Sequence, residues 1–232
     1  MKDVFGTAIL DYQLGNYSED LVTSTSISDS DSLPLPYLFR NYSEMPSLEQ
    51  TALKLSKGAV LDIGCGAGSH SLYLKSKDIK VKSIDISEGA IEACRLRGLD
   101  QAYLLDVMDE ANTFDTLLLL MNGSGVFQSL AHTPFVLSHL KTLLNPDGQI
   151  LIDSSDIKYM YEDEDGGYWI DTTKDYYGEL EYTVSYKNQE ATFSWMYLDF
   201  KNLRIACDQV GLKCELVEEG PHFDFLAKLT LA

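Results

Sequence analysis

Positive charge is scarce in this chain, with half as many basic as acidic residues. Its 232 residues include 18 Lys and Arg against 36 Asp and Glu, a formal net charge of −18. A surface of that sign repels phosphate backbones and anionic headgroups, which sets nucleic acid and membrane aside as partners. Long apolar runs are missing too. None approaches the ~20 residues of a membrane-spanning helix, and the N-terminus lacks the basic flank and apolar core of a signal peptide. Cysteine is sparse: Cys65, Cys94, Cys207 and Cys214 form no C-x-x-C pair, so they read as reduced thiols rather than a disulfide frame or zinc ligands. No His/Cys/Asp/Glu cluster has metal-ligand spacing, and no repeat or low-complexity tract breaks the chain. These absences point to a cytoplasmic protein without a metal. What remains is 45% hydrophobic, enough for a sizeable core, and the length suits one domain over residues 1–232.

The most informative stretch runs from Ala59 to Ser87. Ala59 to Ile63 reads as a short buried strand bounded by glycine. Gly64, Gly66 and Gly68 then alternate where the strand hands over to a helix. Glycine takes positive φ without strain there and lets a ligand lie against the backbone. Val81 to Ile86 is a second strand, with Asp85 near its end. An acid about 20 residues past the first glycine is where a doubly wound fold hydrogen-bonds a ribose diol. A dinucleotide fingerprint asks for Gly or Ala three residues after the second glycine; Ser69 stands there, which opposes a NAD-linked reductase.

Strand and helix keep alternating downstream. Ser87 caps a helix to about Arg97, Gln101 to Leu105 is a strand ending at Asp106, and Phe114 to Met121 reads as a strand buried on both faces. Asn122–Gly125 is a polar turn, Pro134 opens a helix with Phe135, Leu137 and Leu140 as core positions, and Gln149 to Asp153 is a fifth strand. This order predicts a parallel sheet with helices on both faces. Residues 1–45 read as a less regular cap, with Ser24 to Ser32 as a loop, before a helix that buries Leu48, Ala52 and Leu55. Residues 157–198 read as an insertion: a loop from Tyr161 to Tyr177, then a hairpin of Glu179–Lys187 and Glu190–Tyr197. A helix from Asp199 to Val210 and an antiparallel pair, Leu212–Val217 and Phe223–Leu231, close the chain.

The pattern D-x-G-x-G-x-G from Asp62 to Gly68 resembles the first motif of the class I, Rossmann-like S-adenosylmethionine (SAM) dependent methyltransferases of small-molecule type. The resemblance covers residues 59–156 well, the last thirty moderately, and residues 1–45 and 157–198 weakly. It implies an α/β fold: a doubly wound seven-stranded sheet, mostly parallel with an antiparallel last strand beside the fifth. Helices would cover both faces, with an inserted β-hairpin after strand five. It implies SAM as the cofactor and in-line transfer of its methyl group to a small-molecule acceptor. Asp62 matches the family's acid at the end of strand one, and Asp85 its ribose acid. Gly64, Cys65, Gly66 and Gly68 make the cofactor turn, and Ile86 lies on the adenine. Asp106 would accept from the adenine amino group, while Val107 offers a backbone amide to the ring. Asn122 lies near the amino-acid part of SAM. Arg40, between Tyr37 and Tyr42, is a candidate clamp on the SAM carboxylate, since guanidinium–carboxylate pairs are strong and oriented.

A sulfonium methyl group is already activated, so no catalytic triad is needed and the catalytic residues stay unassigned. A hydroxyl or ammonium acceptor would need a base, for which His132, His139 and His222 are candidates. The same motif also suits a protein that binds SAM or another nucleotide without transfer. The insertion holds Tyr159, Tyr161, Tyr168, Trp169, Tyr176 and Tyr177 around the acids Glu162, Asp163, Glu164 and Asp165. Such a segment suits the walls of a site for a flat or cationic small molecule, or equally a homodimer contact.

Overall fold

The computed structural model describes residues 2–163, 165–170 and 175–232; Glu164 and residues 171–174 of the expected insertion lie outside the described residues. The chain opens with helix α1 (Val4–Gln13), a hairpin of β1 (Leu21–Thr25) and β2 (Ser28–Leu33), and a single helical turn, α2 (Leu35–Leu38). Helix α3 (Ser47–Leu55) leads into β3 (Ala59–Ile63), α4 (Ser69–Ser76), β4 (Lys80–Asp85), α5 (Glu88–Leu96) and β5 (Ala102–Leu104). Then follow β6 (Phe114–Leu119), α6 (Thr133–Thr142), β7 (Leu144–Ser155), β8 (Glu179–Tyr186), β9 (Gln189–Met196), α7 (Phe200–Val210), β10 (Leu212–Glu219) and β11 (Asp224–Leu231).

Seven of these strands form one sheet in the order β10-β11-β7-β6-β3-β4-β5. β3, β4, β5, β6 and β7 pair in parallel, while β11 runs antiparallel between β7 and β10. That is the expected doubly wound sheet with its antiparallel strand beside the fifth. The chain steps outward from β3 to β5, then returns to the other side of β3 to lay down β6. Strand order therefore reverses between β3 and β6, the place where open α/β sheets bind ligands beyond their carboxyl ends.

The apolar run Phe114–Leu119 is buried on both faces because alternate side chains serve two cores. Leu117 and Leu119 join Ile150 and Ile152 against Leu137 and Leu140 of α6 and Leu203 of α7. Leu118 and Leu151 face the other way, onto Leu48, Ala52 and Leu53 of α3 and Leu74 of α4. Two expected core positions lie outside it: Leu55 and Phe135 are exposed, and Leu53 and Val136 take their places on the buried faces.

The N-terminal segment departs most from the sequence reading. Ser24 to Ser32, expected as a loop, contributes to both strands of the β1–β2 hairpin. β1 pairs with β8, so the expected insertion hairpin β8–β9 becomes half of a four-stranded sheet, β2-β1-β8-β9. Serine and aspartate are poor strand formers, and only the long-range pairing makes this segment extended. Helix α1 closes the second sheet from one side, with Val4 and Ala8 against Val184 and Tyr186. It also packs tightly on α5. A Cβ added at Gly89 would come 2.3 Å from the Gly6 carbonyl, and Asp3 accepts from Ser87 Oγ and the Gly89 amide at 3.0 Å each. Among the described residues no helix is long and apolar enough to cross a membrane.

Candidate functional site

The glycine turn opens onto the strand-order reversal. Gly64, Gly66 and Gly68 have φ of 70°, 52° and 80°, left-handed values that other residues adopt only with strain. The amides of Gly64 and Cys65 both donate to the Ile84 carbonyl, which fastens the end of β3 to the end of β4. The Gly66 amide donates to Asp85 Oδ2 at 2.9 Å, and the Ser87 amide to Asp85 Oδ1 at 2.9 Å. Asp85 is thus fixed by two backbone donors beside the turn, although burial still raises its pKa against those bonds.

The three glycines do different work. A Cβ at Gly64 or Gly66 would meet nothing within 4 Å, so both border open space that a ligand can fill. At Gly68 it would lie 2.5 Å from Leu99 and 2.8 Å from the Cys94 sulfur, so that glycine lets the turn close on its neighbours. Cys65 points the same way, its sulfur 3.8 Å from that of Cys94. The Cys94 thiol and burial together push the Cys65 pKa well up, which keeps it a neutral packing group. Asp62 lies beneath the turn: it accepts from Ser71 Oγ at 2.6 Å, and Ser71 also meets Ser83 Oγ at 2.7 Å. Burial raises the Asp62 pKa. The two Ser71 bonds tie α4 to β3 and β4.

Next to Asp85, Ile86 is 76% exposed, a large apolar side chain held at the rim of the crevice. The Leu105 amide bonds the Asp85 carbonyl at 3.0 Å, which brings the following residue, Asp106, to the same edge. Asp106 is exposed and caps a short turn by accepting from the Met108 amide at 2.9 Å. Val107 is buried, and its carbonyl meets His139 Nε2 at 2.8 Å. Beyond β6, Met121 and Asn122 adopt left-handed backbone, and Asn122 Nδ2 donates to the Met196 carbonyl at 3.0 Å, tying this edge to the second sheet.

Arg40 reaches the site from the N-terminal strap and is only 5% exposed. One guanidinium nitrogen donates to both carboxylate oxygens of Glu49, and another donates to the Tyr37 carbonyl at 2.6 Å. The guanidinium lies 4.0 Å from the Tyr37 ring centre. Its Nε is buried without a partner among the described residues. Glu49 also meets His70 Nε2 at 2.7 Å. Burial pushes the Glu49 carboxyl up, but His70 and Arg40 outweigh it and hold the group below the ordinary carboxylate range. The strap is further pinned to the turn by Ser69 Oγ, which donates to the Leu38 carbonyl at 2.8 Å. Tyr42, by contrast, stacks on Tyr73 with ring centres 4.0 Å apart.

Sequence reasoning passed over Glu49 and His70. His70 is the second residue of α4, directly after the glycine turn; a histidine there was the available signal. Asp153, read only as the end of a strand, is the third omission. It lines a cavity of about 230 Å³ with Tyr37, Leu48, Glu49, Met121 and Asp224. Burial raises its carboxyl to about 6 against the opposing bond from the Gly123 amide. Phe223, which precedes Asp224 in the chain, stacks on Tyr159 with ring centres 5.0 Å apart. Of the candidate bases, His132 meets the Phe127 carbonyl and His139 that of Val107, while exposed His222 donates its amide to Oδ1 of Asp224, a cavity-lining residue, at 2.8 Å.

A family model described as a methyltransferase domain matches residues 54–191. The crystal structure of a SAM-dependent methyltransferase from Bacteroides fragilis in complex with S-adenosyl-L-homocysteine is similar over 100% of this chain and 95% of that one, with 42% identity and a TM-score of 0.93. The CcbJ methyltransferase from Streptomyces caelestis shares the fold at 12% identity, with a TM-score of 0.62 over 83% of this chain and 99% of that one. The malonyl-[acyl-carrier protein] O-methyltransferase of Serratia marcescens is 28% identical over 92 residues, 40% of this chain. That match spans 36% of the relative's own length.

Proposed function

The chain belongs to the methyltransferase-domain family and is a SAM-dependent methyltransferase; on that premise we propose which of its residues hold the cofactor and which face the acceptor. The observation that carries the assignment is Asp85, fixed by the Gly66 and Ser87 amides beside two glycines that border open space. A carboxylate so placed accepts a ribose diol, and Gly64 and Gly66 let the ligand lie against the backbone. Exposed Ile86 covers one face of the adenine, Asp106 accepts from its amino group, and Val107 borders the ring. The unpaired Nε of Arg40 fits the cofactor's carboxylate, with Glu49 and His70 holding the guanidinium in place. Gly68, Cys65 and Asp62 act from behind the crevice by setting the shape of the turn.

The cofactor, when bound, supplies an activated methyl group on a sulfonium. The protein's part is to hold an acceptor in line and to exclude water. We assign the acceptor to the cavity between Tyr37, Glu49, Asp153 and Asp224, with the Tyr159–Phe223 stack as its rim. Carboxylates and aromatic faces suit a flat or cationic small molecule, and the net charge of −18 disfavours a polyanion. The stack of Tyr159 on Phe223, the residue before cavity-lining Asp224, supports an acceptor-side role for the segment after β7 over a homodimer contact.

Calorimetric titration with S-adenosylhomocysteine, SAM and NAD tests the reading. Both sulfur nucleosides should bind and NAD should not. Asp85→Ala should weaken S-adenosylhomocysteine at least tenfold, as expected for a charge-assisted bond of about 1.5–3 kcal/mol. Undiminished binding by that variant removes Asp85 from the site.

A further inference from the structure

Two adjacent residues without the freedom of glycine, Met121 (φ 65°) and Asn122 (φ 60°), hold left-handed backbone just past the end of β6. Such a pair persists only where its surroundings over-determine it. The surroundings here converge on one side chain from the next strand. The Met121 amide donates to Asp153 Oδ2 at 3.0 Å and the Gly123 amide to Asp153 Oδ1 at 2.9 Å, so the two carboxylate oxygens bracket Asn122. A Cβ on Gly123 would come 2.5 Å from Leu119, so the amide is pressed close to the sheet. Asn122 is tied on its other side through Met196 and Ser124. Asp153 itself is 9% exposed, and nothing cationic bonds it among the described residues.

We propose that Asp153 is a positioning residue, whose ionised carboxylate holds the Met121–Asn122 turn in the shape that receives the amino-acid end of the cofactor. This rests on the cofactor reading above: the turn follows β6, the parallel neighbour of β3, and so stands at the same carboxyl edge as the glycine turn. Both bonds are strongest to a carboxylate that accepts on both oxygens; protonation makes one of them a hydroxyl, a weaker acceptor for the amide it faces. Burial already brings this group within reach of mild acid, to about 6. The charged and titratable groups around it are Glu49 on α3 and His70 on α4, which push it in opposite directions, with Tyr37 and Asp224 on the same cavity. Arg40 faces Glu49 rather than Asp153. The raised pKa also fixes a sign. A group that binds its proton more tightly when folded stabilises the fold as pH falls through that pKa. Protonation of Asp153 thus loosens the turn without lowering global stability.

The test is calorimetric titration of S-adenosylhomocysteine from pH 7.5 to pH 5, with melting temperatures of the free protein over the same range. Wild type should bind about tenfold more weakly at pH 5, the loss linked to one proton, and melt no lower at pH 5.5 than at pH 7.5. Asp153→Asn should bind at least tenfold more weakly at pH 7.5 and lose most of that pH dependence. Hydrogen exchange at the Met121 and Gly123 amides, corrected for intrinsic rates, needs no variant: protection should fall between pH 7.5 and pH 5. If Asp153→Asn binds with wild-type affinity and profile, or if wild-type protection and affinity stay flat, Asp153 does not position the cofactor. A wild type that fails to bind at pH 7.5 overturns the cofactor reading itself, and the inference with it.

Discussion

Arg40 sets one guanidinium nitrogen against both oxygens of Glu49, in an interior where the two side chains are 3% and 4% exposed. Removing one partner leaves an uncompensated buried charge, whereas the intact pair contributes little net stability of its own. Glu49→Ala should therefore destabilise the fold by about 3–5 kcal/mol, read by urea denaturation. The pH dependence has a definite sign. The folded carboxyl of Glu49 titrates below its ordinary value, so its contribution is present above the unfolded pKa and is lost as pH falls through the folded one. Wild type should lose stability steeply in that acid range, and Glu49→Ala should lose less.

Gly64 and Gly68 both take positive φ, yet their substitution should fail in different ways. At Gly64 an alanine carries backbone strain of about 1–2 kcal/mol and projects its methyl into the crevice. At Gly68 the same strain is joined by overlap with Leu99 and Cys94, with overpacking adding about 1–3 kcal/mol. Gly68→Ala should thus lower the melting temperature more than Gly64→Ala. Gly64→Ala should weaken S-adenosylhomocysteine more than its stability loss explains. Equal effects on stability and affinity would show that the two glycines are not divided between ligand and packing.

Asp106 is the residue that should read the adenine. It is exposed at the edge next to Asp85, and after Oδ1 accepts the Met108 amide its other oxygen has no partner among the described residues. Wild type should prefer SAM to its inosine analogue, which has a carbonyl in place of the amino group. Asp106→Asn should shrink that preference about tenfold, for a charge-assisted bond of about 1.5–3 kcal/mol. Competition titrations with the two nucleosides measure it, and an unchanged ratio removes Asp106 from the site.

The parts legible in the sequence are those whose cause is local. Three glycines between an apolar strand and a helix, and an acid at the next strand end, specify the turn within one βαβ unit. The run Phe114–Leu119 declares its double burial by lacking polar alternation. The second sheet was hidden because β2, with sequence SDSDSL, has no strand propensity of its own. It is extended only because its partner β1 pairs with β8 more than 150 residues on, from Val22–Ser185 to Thr25–Tyr182. Arg40 was visible as a cation between aromatics, but the carboxylate and imidazole that orient it sit on two later helices. Side chains brought together across that distance leave no spacing to read. Asp153 was hidden differently: its partners are backbone amides, which every sequence has.

Phe223 carries the last prediction, because its backbone and its side chain pull in opposite directions. It holds φ of 59° in the tight connection between β10 and β11, while its ring is 64% exposed. The ring stacks on Tyr159, and its carbonyl accepts the Asp156 amide at 2.9 Å. An exposed aromatic in left-handed backbone costs the fold about 1–2 kcal/mol, and the exposed stack returns only about 0.5–1.5 kcal/mol. Alanine and glycine at this position both delete the ring, so the difference between them isolates the backbone. In most contexts glycine is the less stable of the two through its larger unfolded-state entropy. Here the order should invert, with Phe223→Gly more stable than Phe223→Ala by about 1 kcal/mol in denaturant titrations. Both variants should keep wild-type affinity for S-adenosylhomocysteine, since neither touches the glycine turn. Both should raise the acceptor KM with kcat less affected, the mark of lost binding away from the reacting atoms. A stability order with alanine above glycine would show that the backbone bears no strain there. An unchanged acceptor KM would remove the Tyr159–Phe223 shelf from the acceptor site.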